Sequence, residues 1–343
     1  MPQKTAVILF NLGGPDSRAA IQPFLFNLFN DPAIIRLPNP ARWLLARLIS
    51  KRRAPVAADI YERMGGRSPI VPETEAQAEA LRAALGSDDT KIFIAMRYWH
   101  PFAEDTARAV RDWGAERVVL LPLYPQFSTT TTASSFRQWH AVAKTVGLSA
   151  PTTAIGCYPE EPGFIAATVA LLRERLAQAE AAGPVRILFS AHGLPKKVVR
   201  DGDPYQMQVE RSVAAVLRLL DRPDLETQIC YQSRVGPLEW IGPATDAEIT
   251  RAAKDGRSIV VVPIAFVSEH SETLVELDIE YAELAHAHGA KGYFRVPTVG
   301  AHPDFIAGLA RLVRHAEPYD GRARCGSGAK PCGNAWRRCT CVA

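Results

Sequence analysis

The feature that most constrains this chain is a series of eight short β-branched runs separated by helix-like stretches. They are TAVILF (5–10), KIFIAM (91–96), RVVLLPL (117–123), TAIGC (153–157), VRILFS (185–190), ETQICY (226–231), SIVVVPIAF (258–266) and GYFRV (292–296). Most are apolar almost without interruption, the pattern of strands buried on both faces rather than one. Such strands alternating with helices indicate parallel sheets covered on each side. At roughly 100–200 residues per domain, the length suggests two domains. The expected fold is therefore α/β, with two Rossmann-like, doubly wound domains, each built on a four-stranded parallel sheet, and a cleft between them. The expected divisions are 1–163, 164–317 and a cysteine-rich tail, 318–343. A helix over 164–182 joins the two sets and ends at Gly183-Pro184.

The two sets echo each other. The first strand of each runs into NLGGPD (11–16) or SAHGLP (190–195), and the third into YPQFSTTTTASS (124–135) or FVSEHSET (266–273). The distinctive residues thus follow strands, and open α/β sheets bind ligands beyond the carboxyl ends of their strands.

Five carboxylates (Glu269, Glu272, Glu276, Asp278, Glu280) and His270 crowd into SEHSETLVELDIEY, 268–281. Glu272, Glu276 and Glu280 are spaced i, i+4, i+8, which on an α-helix lines three carboxylates along one side. A solvated acidic face would explain Glu276 and Glu280. Glu272 opens the helix straight after a buried strand, where it is suited to bind a divalent cation or, with a raised pKa, to accept protons. His192 stands at a strand end beside Gly193, placed to take a proton or a metal. SPI (68–70), RYWHP (97–101) and YPQFSTTTTASS supply aromatics, cations and hydroxyls that suit a flat apolar ligand carrying carboxylates.

The formal net charge is +4, unevenly placed: residues 36–53 hold six basic side chains and no acid. That distribution does not resemble a nucleic-acid binder's. The segment 39–55 reads as a basic amphipathic helix, fit to be a solvated face, a lip on the cleft or a membrane-surface contact. No apolar run approaches the ~20 residues of a membrane span. The expected location is the cytoplasm, with peripheral membrane contact through 39–55. Cys325, Cys332, Cys339 and Cys341 crowd the tail as C-x6-C-x6-C-x-C. Four thiolates suit a [2Fe–2S] cluster or zinc, and spacing alone leaves both open.

Together these motifs resemble the ferrochelatases, which insert ferrous iron into protoporphyrin to make haem. The resemblance runs from LFNLGGPD through GGRSPI, RYWHPF, YPQFSTTTTASS, FSAHGLP, GDPY and YQSRVGPLEWIGP to VPIAFVSEHSETLVELDIEY, in the family's order. It implies a porphyrin cleft between two Rossmann-like domains, with protoporphyrin IX and ferrous iron as substrates and no nucleic acid. It implies that His192 and Glu272 act on the pyrrole nitrogens and the iron, and that Glu276 and Glu280 form an acidic row leading away. It places porphyrin contacts on Ile35, Arg53, Tyr61, Ser68, Arg97, Tyr98, Tyr124 and Trp240. It favours the cluster over zinc, with Cys325, Cys332, Cys339 and Cys341 as ligands. The animal pattern instead has one ligand at the position of Thr129, where this chain has no cysteine. The alternatives are another tetrapyrrole chelatase, using a different metal or coproporphyrin, and a carrier that binds porphyrin and metal without turnover. A two-domain glycosyltransferase finds no support, as the chain lacks a G-x-G-x-x-G fingerprint.

Overall fold

The structure is a computed structural model and describes residues 3–234, 238–316, 324–326, 332 and 336–339. The eight expected strands form, as β1 (Thr5–Asn11), β2 (Thr90–Met96), β3 (Arg117–Pro122), β4 (Thr152–Cys157), β5 (Val185–His192), β6 (Glu226–Gln232), β7 (Ser258–Pro263) and β8 (Gly292–Arg295). A ninth, β9 (Arg324–Cys325), comes from the tail. All pairings are parallel. The first sheet runs β2-β1-β3-β4-β9 and the second β6-β5-β7-β8. Leaving β9 aside, both halves have the same order, which gives the echo in the sequence a structural counterpart.

Two expectations need correction. The first sheet has five strands, not four, because β9 pairs beside β4 with Cys325 opposite Cys157. Strand β7 stops at Pro263 rather than 266; proline has no N–H for the ladder, and the Ile264 N–H turns to the Ser190 carbonyl at 3.1 Å.

The central strands β1, β3, β5 and β7 are buried almost completely, as their unbroken apolar composition requires. The helix Pro162–Ala182, capped by the Glu161 carboxylate on the Phe164 N–H, links the sheets. Its Phe164, Leu172 and Leu176 belong to one apolar core that includes Leu9 and Leu121 of the first sheet and Phe189 and Val262 of the second. The lobes also meet through polar groups at their carboxyl ends. The Asn11 amide donates to Ser268 (3.2 Å) of the second lobe as well as to Thr74 (3.0 Å) of its own, and Gln126 donates to Ser212 (2.9 Å) and the Ile264 carbonyl (3.2 Å). Asp203, fully buried, accepts from Ser128 and twice from Thr129 across the same boundary.

Candidate functional site

His192 is the last residue of β5, and its ring stands at the strand's carboxyl end, half-buried. Its Nδ1 lies 2.6 Å from the Gly193 carbonyl. A carbonyl can only accept, so Nδ1 donates this bond and Nε2 is left to face the site. Nε2 faces Glu272 Oε1 at 3.6 Å, an ion-pair distance rather than a hydrogen bond. Gly193 is required here: a Cβ would come within 2.9 Å of the Gln232 carbonyl and 3.1 Å of the Trp240 ring.

The acidic stretch is not the expected α-helix. Glu272–Glu280 is a π-helix, continued by an α-helix over Tyr281–Ala287. One extra residue per turn is rare and, where it occurs, is frequent at functional sites. The carboxylates do not act alike. Glu272 sits between two imidazoles, with His270 Nε2 at 3.7 Å from its Oε2. His270 is buried, donates from Nδ1 to the Ser268 carbonyl at 3.0 Å and meets the Phe266 ring edge-on. Burial alone would push the Glu272 carboxyl upward, but the facing imidazoles His192 and His270 hold it at about 2. The expectation of a raised pKa for Glu272 is therefore corrected: it is a carboxylate. Burial alone would lower the His270 imidazole, but the same carboxylate draws it above its ordinary value.

Glu276 accepts from the Gln232 amide (3.1 Å), the Ser233 N–H (2.9 Å), the Ser233 hydroxyl (2.6 Å) and the Tyr281 hydroxyl (2.8 Å), fastening the end of β6 to the π-helix. Glu280 is exposed. Glu269 and Asp278 are neutralised by Arg295 of β8, with the Asp278 carboxylate gripped at 2.6 Å by two guanidinium nitrogens. Much of the acid that follows β7 thus meets local partners.

The expected ligand contacts fall on both lobes. Tyr61, near the end of the helix Ala41–Glu62, reaches across to the second lobe. Burial, and secondarily the Glu272 charge, push its phenol up to about 12, and its hydroxyl lies beside Ser271. Ser68 is buried next to Gly14, where an added Cβ would stand 2.5 Å from the serine side chain. Arg97 and Tyr98 both donate to Asp31 Oδ2 at 2.8 Å, and the Ser134 hydroxyl adds a third bond at 2.6 Å. Tyr98 is consequently 1% exposed and packs in the lobe rather than lining an open surface. Tyr124 is half-buried close to Arg97, and burial pushes its phenol upward against the opposing Arg97 charge. Trp240 packs on the His192–Gly193 turn, and its Nε1 is buried without a hydrogen-bond partner among the described residues. Ile35 is half-buried, and Arg53 is exposed on the Ala41–Glu62 helix. Sequence reasoning missed His270 as a partner of Glu272, and missed Asp31, whose signal was an Asp-Pro step among apolar neighbours.

The thiols are the second cluster. Cys157 Sγ lies 3.5 Å from Cys325 Sγ, and the Gln208 amide donates to Cys157 (3.5 Å) and Cys332 (3.0 Å). Cys332 is hydrogen-bonded with Cys339. Cys157, a lone strand cysteine in the sequence, therefore joins the tail thiols. Cys341 lies outside the described residues. As the side chains stand, no three His, Cys, Asp or Glu among the described residues converge to hold a single metal ion.

The Ferrochelatase family profile matches residues 4–317. The Caulobacter vibrioides ferrochelatase is 53% identical, covering 99% of this chain and 98% of its own. That of Hyphomonas neptunium is 50% identical over 99% and 95%. Among solved structures, SirB from Bacillus subtilis with Fe3+ superposes with a TM-score of 0.53 at 15% identity, covering 92% of this chain and 96% of its own, a likeness of fold.

Proposed function

This chain belongs to the ferrochelatase family, and from that premise we propose that His192, Glu272 and His270 form the centre at which porphyrin protons leave as iron enters. The enzyme inserts iron into protoporphyrin in haem biosynthesis. Two pyrrole N–H protons must depart for each ferrous ion bound, so the site needs a base that can reach the macrocycle's centre. The observation that carries the reading is the His192 ring at a strand end, with its Nε2 turned to a carboxylate 3.6 Å away. His192 Nε2 takes the two pyrrole protons in succession, releasing the first to solvent before the second, and the ionised Glu272 stabilises the imidazolium each time. His270 keeps Glu272 anionic and oriented. The orphaned Trp240 N–H and the Tyr61, Arg97 and Tyr124 side chains frame the porphyrin from both lobes. Glu276 and Glu280 continue the acidic path outward. Anaerobic incubation with ferrous iron and protoporphyrin IX, followed optically for haem, tests the activity; a carrier would bind both and show no multiple turnover. Coproporphyrin in a parallel arm decides porphyrin preference.

The tail thiols are our candidate for a [2Fe–2S] cluster. Four of Cys157, Cys325, Cys332, Cys339 and Cys341 would hold it, with Cys157 added to the tail ligands because of its contacts with Cys325 and Gln208. A two-iron cluster spreads four thiolates over two metals, which agrees with thiols linked pairwise rather than closed on one point. Bound there, the cluster would supply one-electron redox chemistry away from His192. Anaerobically purified protein is expected to show iron–sulfur absorbance and two irons per chain, both lost when Cys157→Ser and Cys332→Ser are combined, which leaves three of the five thiols. Stoichiometric zinc without that absorbance would overturn the cluster.

The helix Ala41–Glu62 buries only Ala46, Ser50 and Tyr61. It leaves Trp43, Leu44, Leu48 and Val56 exposed beside Arg47, Lys51, Arg52 and Arg53. No helix among the described residues is long and apolar enough to cross a membrane. We read this face as one that rests on an anionic bilayer, where each basic residue contributes about 1 kcal/mol. The protein is expected to sediment with anionic vesicles at low salt, not with neutral ones. Leu44→Asp with Leu48→Asp should weaken that binding by roughly tenfold or more. Equal binding by the double variant would refute the assignment.

A further inference from the structure

Gln208 has no part in the chemistry above, yet it is fully buried in the helix Tyr205–Leu220 with both ends of its amide engaged. Its Nε2 points at two sulfurs, Cys332 at 3.0 Å and Cys157 at 3.5 Å. Its Oε1 accepts the Phe127 N–H at 2.7 Å. Phe127 lies in the loop that leaves β3, between Tyr124 at the cleft and the Ser128–Thr129 pair held by Asp203. One side chain of the second lobe therefore touches a thiol from β4, a thiol from the tail and the backbone of a cleft loop. The Asp203 carboxylate that holds Ser128 and Thr129 also touches the start of the same helix, accepting the Tyr205 N–H at 3.0 Å.

A buried glutamine in apolar surroundings needs a partner for each polar end. A thiol or thioether is a poor acceptor, whereas a thiolate is a strong one, so the N–H groups aimed at sulfur are best matched when those sulfurs are anionic. Hydrogen bonds to ligand sulfurs draw electron density from a cluster and favour its reduced, more negative state. We propose that Gln208 is a positioning residue for the thiolate site. It sets the reduction potential of a cluster bound by Cys157 and Cys332, and it couples that site through its carbonyl to the cleft loop at Phe127. This inference rests on the cluster reading given above.

The test uses the full chain, purified anaerobically with iron and sulfide counted. Redox titration of Gln208→Leu, followed by the cluster's visible absorbance, is expected to show about tenfold less reduced cluster at a fixed poise, a fall of ~59 mV for one electron. Phe127 should exchange its amide hydrogen at least about tenfold faster in the variant, since the proton loses its partner. If Gln208→Leu does not fold or loads no cluster, the wild-type protein still decides. Resonance Raman bands of the iron–thiolate bonds should shift when the cluster is assembled in D2O. An unchanged potential in a loaded variant, or D2O-insensitive bands, would overturn the role of Gln208 while leaving the cluster standing. Wild-type protein without iron or sulfide would instead remove the cluster, and Gln208's role with it.

Discussion

His192→Ala is expected to slow iron insertion by about 10²–10⁴-fold, the range a positioned acid–base group supplies. Porphyrin affinity should stay within roughly threefold of wild type, under 1 kcal/mol. The separation follows from geometry. The ring stands at the end of β5 with Nδ1 committed to the Gly193 carbonyl and Nε2 turned to Glu272. It is shaped to receive a proton, and the surfaces that would hold a flat ligand come from other residues. Steady-state haem formation and porphyrin fluorescence titration on the same preparation measure the two quantities. Turnover unchanged by the substitution would remove His192 from the reaction. Parallel losses in turnover and affinity would make it a binding residue instead.

Asp31→Ala is expected to cost about 3–5 kcal/mol of stability, the range for removing one partner of a buried ion pair. Its Oδ2 takes hydrogen bonds from Arg97, Tyr98 and Ser134, and its Oδ1 accepts the Ala33 N–H at 2.8 Å. The Arg97 side chain is 15% exposed, so losing Asp31 leaves a guanidinium with little water to replace it. A thermal midpoint lower by about 10 °C should result. Asp31→Asn keeps an acceptor oxygen and should recover part of the loss. A fall smaller than about 2 °C for the alanine variant would show that Arg97 finds another partner.

The parallel sheets were legible because strands covered on both faces must be apolar along their whole length. His192 was legible because a polar side chain at the end of such a strand is conspicuous. The π-helix was not. Carboxylates four apart satisfy an α-helical reading of Glu272–Glu280, and no local pattern marks the extra residue per turn. The arrangement depends on Ser233 and Gln232, which arrive from β6 to bind Glu276. His270 could be seen beside Glu272, but only the fold turns its Nε2 back onto that carboxylate. Cys157 was hidden for a different reason. It lies 168 residues from Cys325, inside a strand whose burial gives a thiol an ordinary packing explanation. The two-residue β9 was too short to leave any periodicity.

That small strand has a consequence of its own. The outer flank of β4 would otherwise offer unpaired amides and carbonyls to any extended chain in the cell. With Arg324 opposite Ile155 and Cys325 opposite Cys157, the carboxyl half of that flank is already taken by a strand of the same chain. The stretch that delivers sulfur to the sheet also guards it against strangers, so losing the tail would cost solubility as well as thiols.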